Sequence, residues 1–308
     1  MNHAVETLQR RAEILKLARI LERDPGELEY LEGVALEDLR ALREQTTEVL
    51  YSANSHALNR LAAASKLLPA ALTATIAQRA FGPLLAARMA GLLEPSRAVE
   101  IASKLPVAFL ADVAAELDPR RAAAVLELIA PQQVQAVTRE LVRRGEHVTM
   151  GRFVGHLSDA AIKAALATMD DATLLLVGFV LEEKARLERL IGLLPKARVT
   201  SIILAAAESN LWLEALDLLG HLSPARQNEI VSGALELDHA ALEDIVSAVV
   251  EHELWEEVVV IAERDATLQA KLAARLSGLP VRQRRALARQ LQADGSMERL
   301  GALGQALA

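Results

Sequence analysis

The stretch LPVAFLADVAAELDPRRAAAVLELIAP, residues 105–131, decides the reading of this chain. Three junctions punctuate it: Leu105-Pro106, Asp118-Pro119 and Ala130-Pro131. Proline lacks the amide proton that a helix interior needs, yet its fixed φ suits the first helical turn. Asp118 ahead of Pro119 adds a side-chain acceptor for the free amides of a new helix. Between the junctions, apolar residues recur at helical spacing. The stretch reads as short helices joined by tight turns, with Arg120 to Ile129 as one of them.

The same punctuation continues outward. It recurs upstream at Glu94-Pro95, and downstream at Ser158-Asp159, Asp170-Asp171, Glu182-Glu183, Leu194-Pro195 and Ser223-Pro224. A ten-residue helix is only about 15 Å long and is marginal alone in water. A dozen in series must bury their apolar faces on one another. The expected fold is therefore all-α, a right-handed superhelix or solenoid of short helices akin to HEAT and armadillo arrays. Two internal similarities support repetition. Gly155-His156-Leu157-Ser158 recurs as Gly220-His221-Leu222-Ser223, and the segment from Ile202 to Trp212 recurs from Ile245 to Trp255, at an offset of 43 residues.

The first part of the chain differs. Val5 to Arg23 predicts a longer amphipathic helix closed by Asp24-Pro25-Gly26, and Leu36 to Lys66 keeps helical periodicity without a strong breaker. Leu67 to Leu93 is almost wholly apolar, interrupted by Pro69 and Pro83. A helix that is apolar all round is normally buried. The segment reads as a central core pair, a subunit interface or the wall of an apolar pocket. Three spans follow: a helical cap over 1–92, a short-helix superhelix over 93–195 and HEAT-like repeats over 196–308.

Composition agrees with helix. Hydrophobic residues make up 52% of the 308 and aromatics only 3%, so the core must be built from Leu, Ala, Val and Ile. The net charge of −7 argues against general nucleic-acid binding, which needs basic surface. No cysteine is present, which removes disulfides, thiolate metal sites and a cysteine nucleophile. No signal-peptide core follows the first charged residues. The longest uncharged run, Leu67 to Gln78, falls well short of the roughly 20 apolar residues needed to span a bilayer. The expectation is a soluble, cytoplasmic chain that does not span a membrane.

The segment from Ala108 to Pro131, with its Leu117-Asp118-Pro119 turn, resembles the cytoplasmic N domain of MgtE-type magnesium transporters, over about residues 92–194. The middle region of the flagellar switch protein FliG is similar. The resemblance implies a superhelix of short helices with a regulatory or docking role, in which acidic residues sense Mg²⁺. The sequence departs from the transporter in showing no transmembrane segment and no strand-containing CBS pattern, and from FliG in lacking a Glu-His-Pro-Gln signature. What carries over is the architecture.

No glycine-rich phosphate loop, nucleophile elbow or spaced metal-ligand set appears, so the expected role is binding rather than catalysis. The leading expectation is a protein-interaction scaffold or regulatory module, self-association into a homodimer included. The alternative is a binder of an apolar small molecule or lipid beside the 67–93 segment. Candidate groove residues are Leu72, Ile76, Phe81, Leu85 and Met89, with Trp212 and Trp255 as aromatic anchors. A third reading, Mg²⁺ response, would use Asp112, Glu116 and Asp118, although acidic residues near helix starts are equally expected from dipole complementarity. His156 and His221 each follow a glycine near an expected helix end, where an imidazole can satisfy a late carbonyl.

Overall fold

The structure is a computed structural model that describes residues 3–52, 55–251 and 255–293. Among these residues helix is the only regular secondary structure, and no helix is long and apolar enough to cross a membrane. Two compact units emerge, Arg10–Glu182 and a second made of Met1–Gln9 with Glu183–Ala308. The spans expected from helix spacing, with boundaries near residues 92 and 195, partition the chain differently because they rest on punctuation rather than on contacts.

The first helix is α1 (His3–Leu21), followed by a 3-10 turn (Pro25–Leu31) that Asp24 opens by accepting the Gly26 amide at 2.8 Å. Next come α2 (Leu36–Ser52), α3 (Ser55–Ser65) and α4 (Ala70–Ile76). A π turn (Ala77–Phe81) then leads into α5 (Gly82–Ala90). Gly82 makes this junction with φ +72° and ψ 175°, a region essentially reserved for glycine. The expected punctuation then appears: α6 (Pro95–Ala102), α7 (Val107–Glu116), α8 (Ala123–Leu126), α9 (Pro131–Arg143), α10 (His147–Phe153), α11 (Asp159–Leu166) and α12 (Asp171–Phe179).

One expected helix is cut short. The apolar spacing predicts a helix over residues 120–129, yet α8 holds only four residues. Asp118 Oδ1 accepts the Arg120 amide at 3.1 Å and also takes the Arg120 side chain, which holds Pro119–Ala122 in turns before a helix can begin. The caps at Ser158 and Asp170 follow the expected chemistry: Asp170 Oδ1 accepts the Thr173 amide at 2.7 Å. Asp170→Ala is expected to lower the unfolding free energy by about 1 kcal/mol. Urea unfolding would check this, and an unchanged midpoint would count against the cap.

In this first unit, helices pack chiefly on the second helix along rather than on the next. The row α3, α5, α7, α9, α11 is continuous, while α4, α6 and α8 make a shorter row and α10 packs on α12. Such short elements turn two faces inward, and alanine lets their backbones come close. Ala87, Ala98, Ala111, Ala114, Ala122, Ala161 and Ala165 are all buried in the clusters between the helices.

The segment from Leu67 to Leu93 is not uniformly buried. Leu67 lies in the turn before α4 and is 86% exposed, and Leu72 and Leu84 are close to half exposed, because α4 and α5 are each covered on only part of their circumference. Ala70, Ala74, Ala77, Ala87 and Met89 face inward.

The second unit continues with α13 (Leu187–Gly192), α14 (Lys196–Glu208), α15 (Trp212–Gly220), α16 (Pro224–Ala234), α17 (His239–Glu251), α18 (Trp255–Ala262), α19 (Ala266–Leu276) and α20 (Val281–Ala293). Here α14 and α17 are each 13 residues long, and α16 and α19 are each 11. Within this unit α14 packs on α15, α16 and α17, and α17 packs on α20.

Candidate functional site

Alanine at an inward position leaves the volume that a leucine would fill. Where several such positions face one another, the helices enclose space instead of interlocking. In the first unit this produces a partly open cavity of about 180 Å³, walled by side chains from α4 through α11 and the turn after it. Small residues contribute Ala86, Ala90, Ala98, Ala102, Ala114 and Ala165, and larger ones close the remaining wall.

Among the described residues the lining carries no charged side chain, and its only polar ones are Thr73, Gln133 and Thr138. Thr73 donates its hydroxyl to the Pro69 carbonyl at 3.2 Å, and Gln133 donates from Nε2 to the Ala102 carbonyl at 2.9 Å. An apolar wall of this kind offers water few hydrogen-bond partners and favours apolar atoms; an engineered cavity of about 150 Å³ already admits benzene. The space suits a small ring or a short aliphatic chain, since drug-sized ligands occupy pockets of roughly 300 Å³ and more.

The structure gathers only part of the expected groove. Phe81 and Met89 line the cavity. Leu85 packs instead with Leu58, Ala62 and Met89 in a neighbouring cluster. Leu72 points largely to solvent, and Ile76 is half-buried without reaching the cavity wall. Trp212 is buried at the start of α15, in the second unit, and is no part of this site. The side chain of Trp255 lies outside the described residues.

The carboxylates considered for Mg²⁺ are not brought together. Asp112 pairs with Arg144. Asp118 is buried and is held by Arg120 at 3.1 and 3.2 Å, with Arg121 at 3.7 Å. Burial pushes the Glu116 carboxyl above its usual range; Arg19 opposes that shift while Glu22 and Glu146 add to it. Among the described residues no group of three or more His, Cys, Asp or Glu side chains is placed to hold a metal ion. The basic group at the end of α9 is also engaged: Arg143 and Arg144 both bond Glu140 and hold its carboxyl at a pKa of about 2. His221 sits at the end of α15, where its Nδ1–H donates to the Asp217 carbonyl at 2.7 Å.

Sequence reasoning missed the far wall, built by Val134, Val137 and Leu141 of α9 with Met150 and Phe153 of α10. One signal was available. Three of the five methionines, Met89, Met150 and Met169, line the cavity, and methionine is the side chain that adapts to irregular internal space. No protein-family model matches the chain, and no curated protein or solved structure shows significant similarity to it.

Proposed function

We propose that this chain is a helical-array protein that binds a small apolar molecule in the interhelical cavity of its first unit, and acts by binding rather than by catalysis. One observation carries the reading: a cavity of about 180 Å³ whose wall is apolar but for two threonines and a glutamine. A well-packed domain leaves few voids larger than a water molecule.

A superhelical array is the architecture that fits this role. Three features support it. Helices pack on their second neighbours in the first unit. The second unit shows paired lengths and a 43-residue shift between the starts of α14 and α17 and of α15 and α18. Side chains also tie to earlier helices at closely spaced intervals, as in Gln133 to Ala102 O, Arg152 to Leu117 O, Arg275 to Leu237 O and Gln283 to Ser247. Arrays of this kind form concave, apolar-lined surfaces between repeats.

The test uses the full chain and a small neutral fluorescent probe, 1-naphthylamine. The expected result is a saturable rise in emission together with a higher Tm. Val137→Phe, which places a ring into the cavity from its α9 wall, is expected to remove the rise while the far-ultraviolet circular dichroism stays helical. Absence of saturation in the wild type, or an unchanged response in the folded Val137→Phe variant, refutes the proposal.

Protein docking remains a second reading on one observation, the exposure of Leu67 in the turn before α4, of Leu72 on α4 and of Leu84 on α5. Charged substitutions there, such as Leu67→Lys with Leu84→Lys, are expected to leave probe binding intact if the cavity is the functional site.

A further inference from the structure

Threonines within helices commonly return their hydroxyl proton to a carbonyl one turn back. Thr46, Thr47, Thr73 and Thr75 all do so here, to Leu42, Arg43, Pro69 and Ala71. Thr138 does not. It lies in the middle of α9, is only 6% exposed, and lines the cavity. Among the described residues its hydroxyl has no hydrogen-bond partner, and its oxygen is not one of the fully enclosed unpartnered atoms. A largely buried hydroxyl with no protein partner is free to bond whatever enters the space beside it.

Resting on the apolar-ligand reading above, we propose that the Thr138 hydroxyl recognises a single uncharged oxygen on the ligand, an alcohol or carbonyl attached to a short hydrocarbon body. Gln133, also on α9, spends one amide proton on Ala102 O and keeps a second N–H and its Oε1. The rise of 1.5 Å per residue puts its position about 7.5 Å along the helix from Thr138. Both side chains line the cavity and offer it neutral hydrogen-bonding groups, with apolar atoms elsewhere. A carboxylate is disfavoured, because none of the lining residues is Lys, Arg or His and a buried charge without a counter-charge is strongly penalised.

Competition against 1-naphthylamine tests this with octane, octanol and octanoate at neutral pH, on wild type, Thr138→Val and Thr138→Ser. Valine keeps the shape of threonine without the hydroxyl, whereas serine keeps the hydroxyl. The expected result is that the octanol-to-octane affinity ratio falls about three- to tenfold in Thr138→Val, the size of one hydrogen bond, and is retained in Thr138→Ser. Octanoate is expected to compete poorly throughout. A ratio unchanged in Thr138→Val, or octanoate competing as well as octanol, overturns the assignment while leaving the apolar-cavity reading intact. Failure of the probe and of all three ligands to bind wild type overturns both.

Discussion

Replacing Glu13 with glutamine is expected to lower the unfolding free energy by about 3 kcal/mol, because it leaves a lysine charge buried without its partner. Glu13, Lys16 and Arg43 are all at least 94% buried at the junction of α1 and α2. Lys16 Nζ lies 2.9 Å from one carboxylate oxygen of Glu13, and Arg43 Nε lies 2.9 Å from the other. Arg43 also reaches Glu182 at 3.0 Å, so it retains a counter-charge when Glu13 is neutralised. Lys16 has no second anion among its described contacts. The expected consequence is non-additivity: adding Lys16→Met to Glu13→Gln should recover part of the loss, although Lys16→Met alone also destabilises. A double-mutant cycle by urea unfolding reads this coupling, and strict additivity would sink the account.

The same residue carries a pH signature. Burial works to raise the Glu13 pKa, but Lys16 and Arg43 outweigh it and hold the carboxyl below its usual 4.5. A lowered carboxylate stabilises the fold fully above the unfolded pKa, about 4.3, and loses that contribution as pH falls through the lower native value. The stability gap between wild type and Glu13→Gln should therefore be constant near neutrality and shrink only in acid below about pH 4. A gap that closes between pH 5 and 7 would contradict the assignment.

Gly151→Ala is the second large effect. The α10 backbone passes so close to the end of α12 that a Cβ at residue 151 would sit 2.8 Å from Val180 Cγ2 and 3.1 Å from the carbonyl oxygens of Val177 and Val180. The methyl of Val180 can rotate, but backbone carbonyls at a helix end cannot retreat without moving α12. The expected loss is about 1–3 kcal/mol, the usual cost of overpacking. Gly233 in α16 supplies the control, since nothing lies within 4 Å of its added Cβ. Gly233→Ala should be neutral or stabilising by about 0.5 kcal/mol, because alanine is the better helix former. Equal effects at the two glycines would show that the α10–α12 approach is not what constrains residue 151.

Much of the local structure was legible from residue chemistry. The starts at Pro95, Pro131, Asp159, Asp171 and Pro224 coincide with helix starts, since capping and proline geometry act over one turn and need no distant partner. Asp118 shows the limit of the same chemistry. It was read as opening a full helix, but its carboxylate closes a turn with Arg120, and only the folded chain reveals which of the two local uses won. The candidate site was legible to a lesser degree. An apolar segment with Phe81 and Met89 pointed toward it, because uncommon apolar density within one stretch is visible in one dimension. Leu72 and Ile76 share that density yet miss the cavity, since side-chain direction depends on the π turn at Ala77–Phe81 and on which neighbours cover α4.

By itself, then, the sequence determined an all-helical chain of short elements and the turns that separate them, because helix propensity, proline and capping residues act within a few positions of one another. Only the tertiary structure decided which alanines of α5, α6, α7 and α11 face one another across about 180 Å³. It also decided that Asp112 pairs with Arg144 while Asp118 is held by Arg120, and that Thr138 of α9 is buried in the cavity wall. Those outcomes depend on contacts between residues tens of positions apart, where the volume left between helices is a property of the packed set and of no single segment.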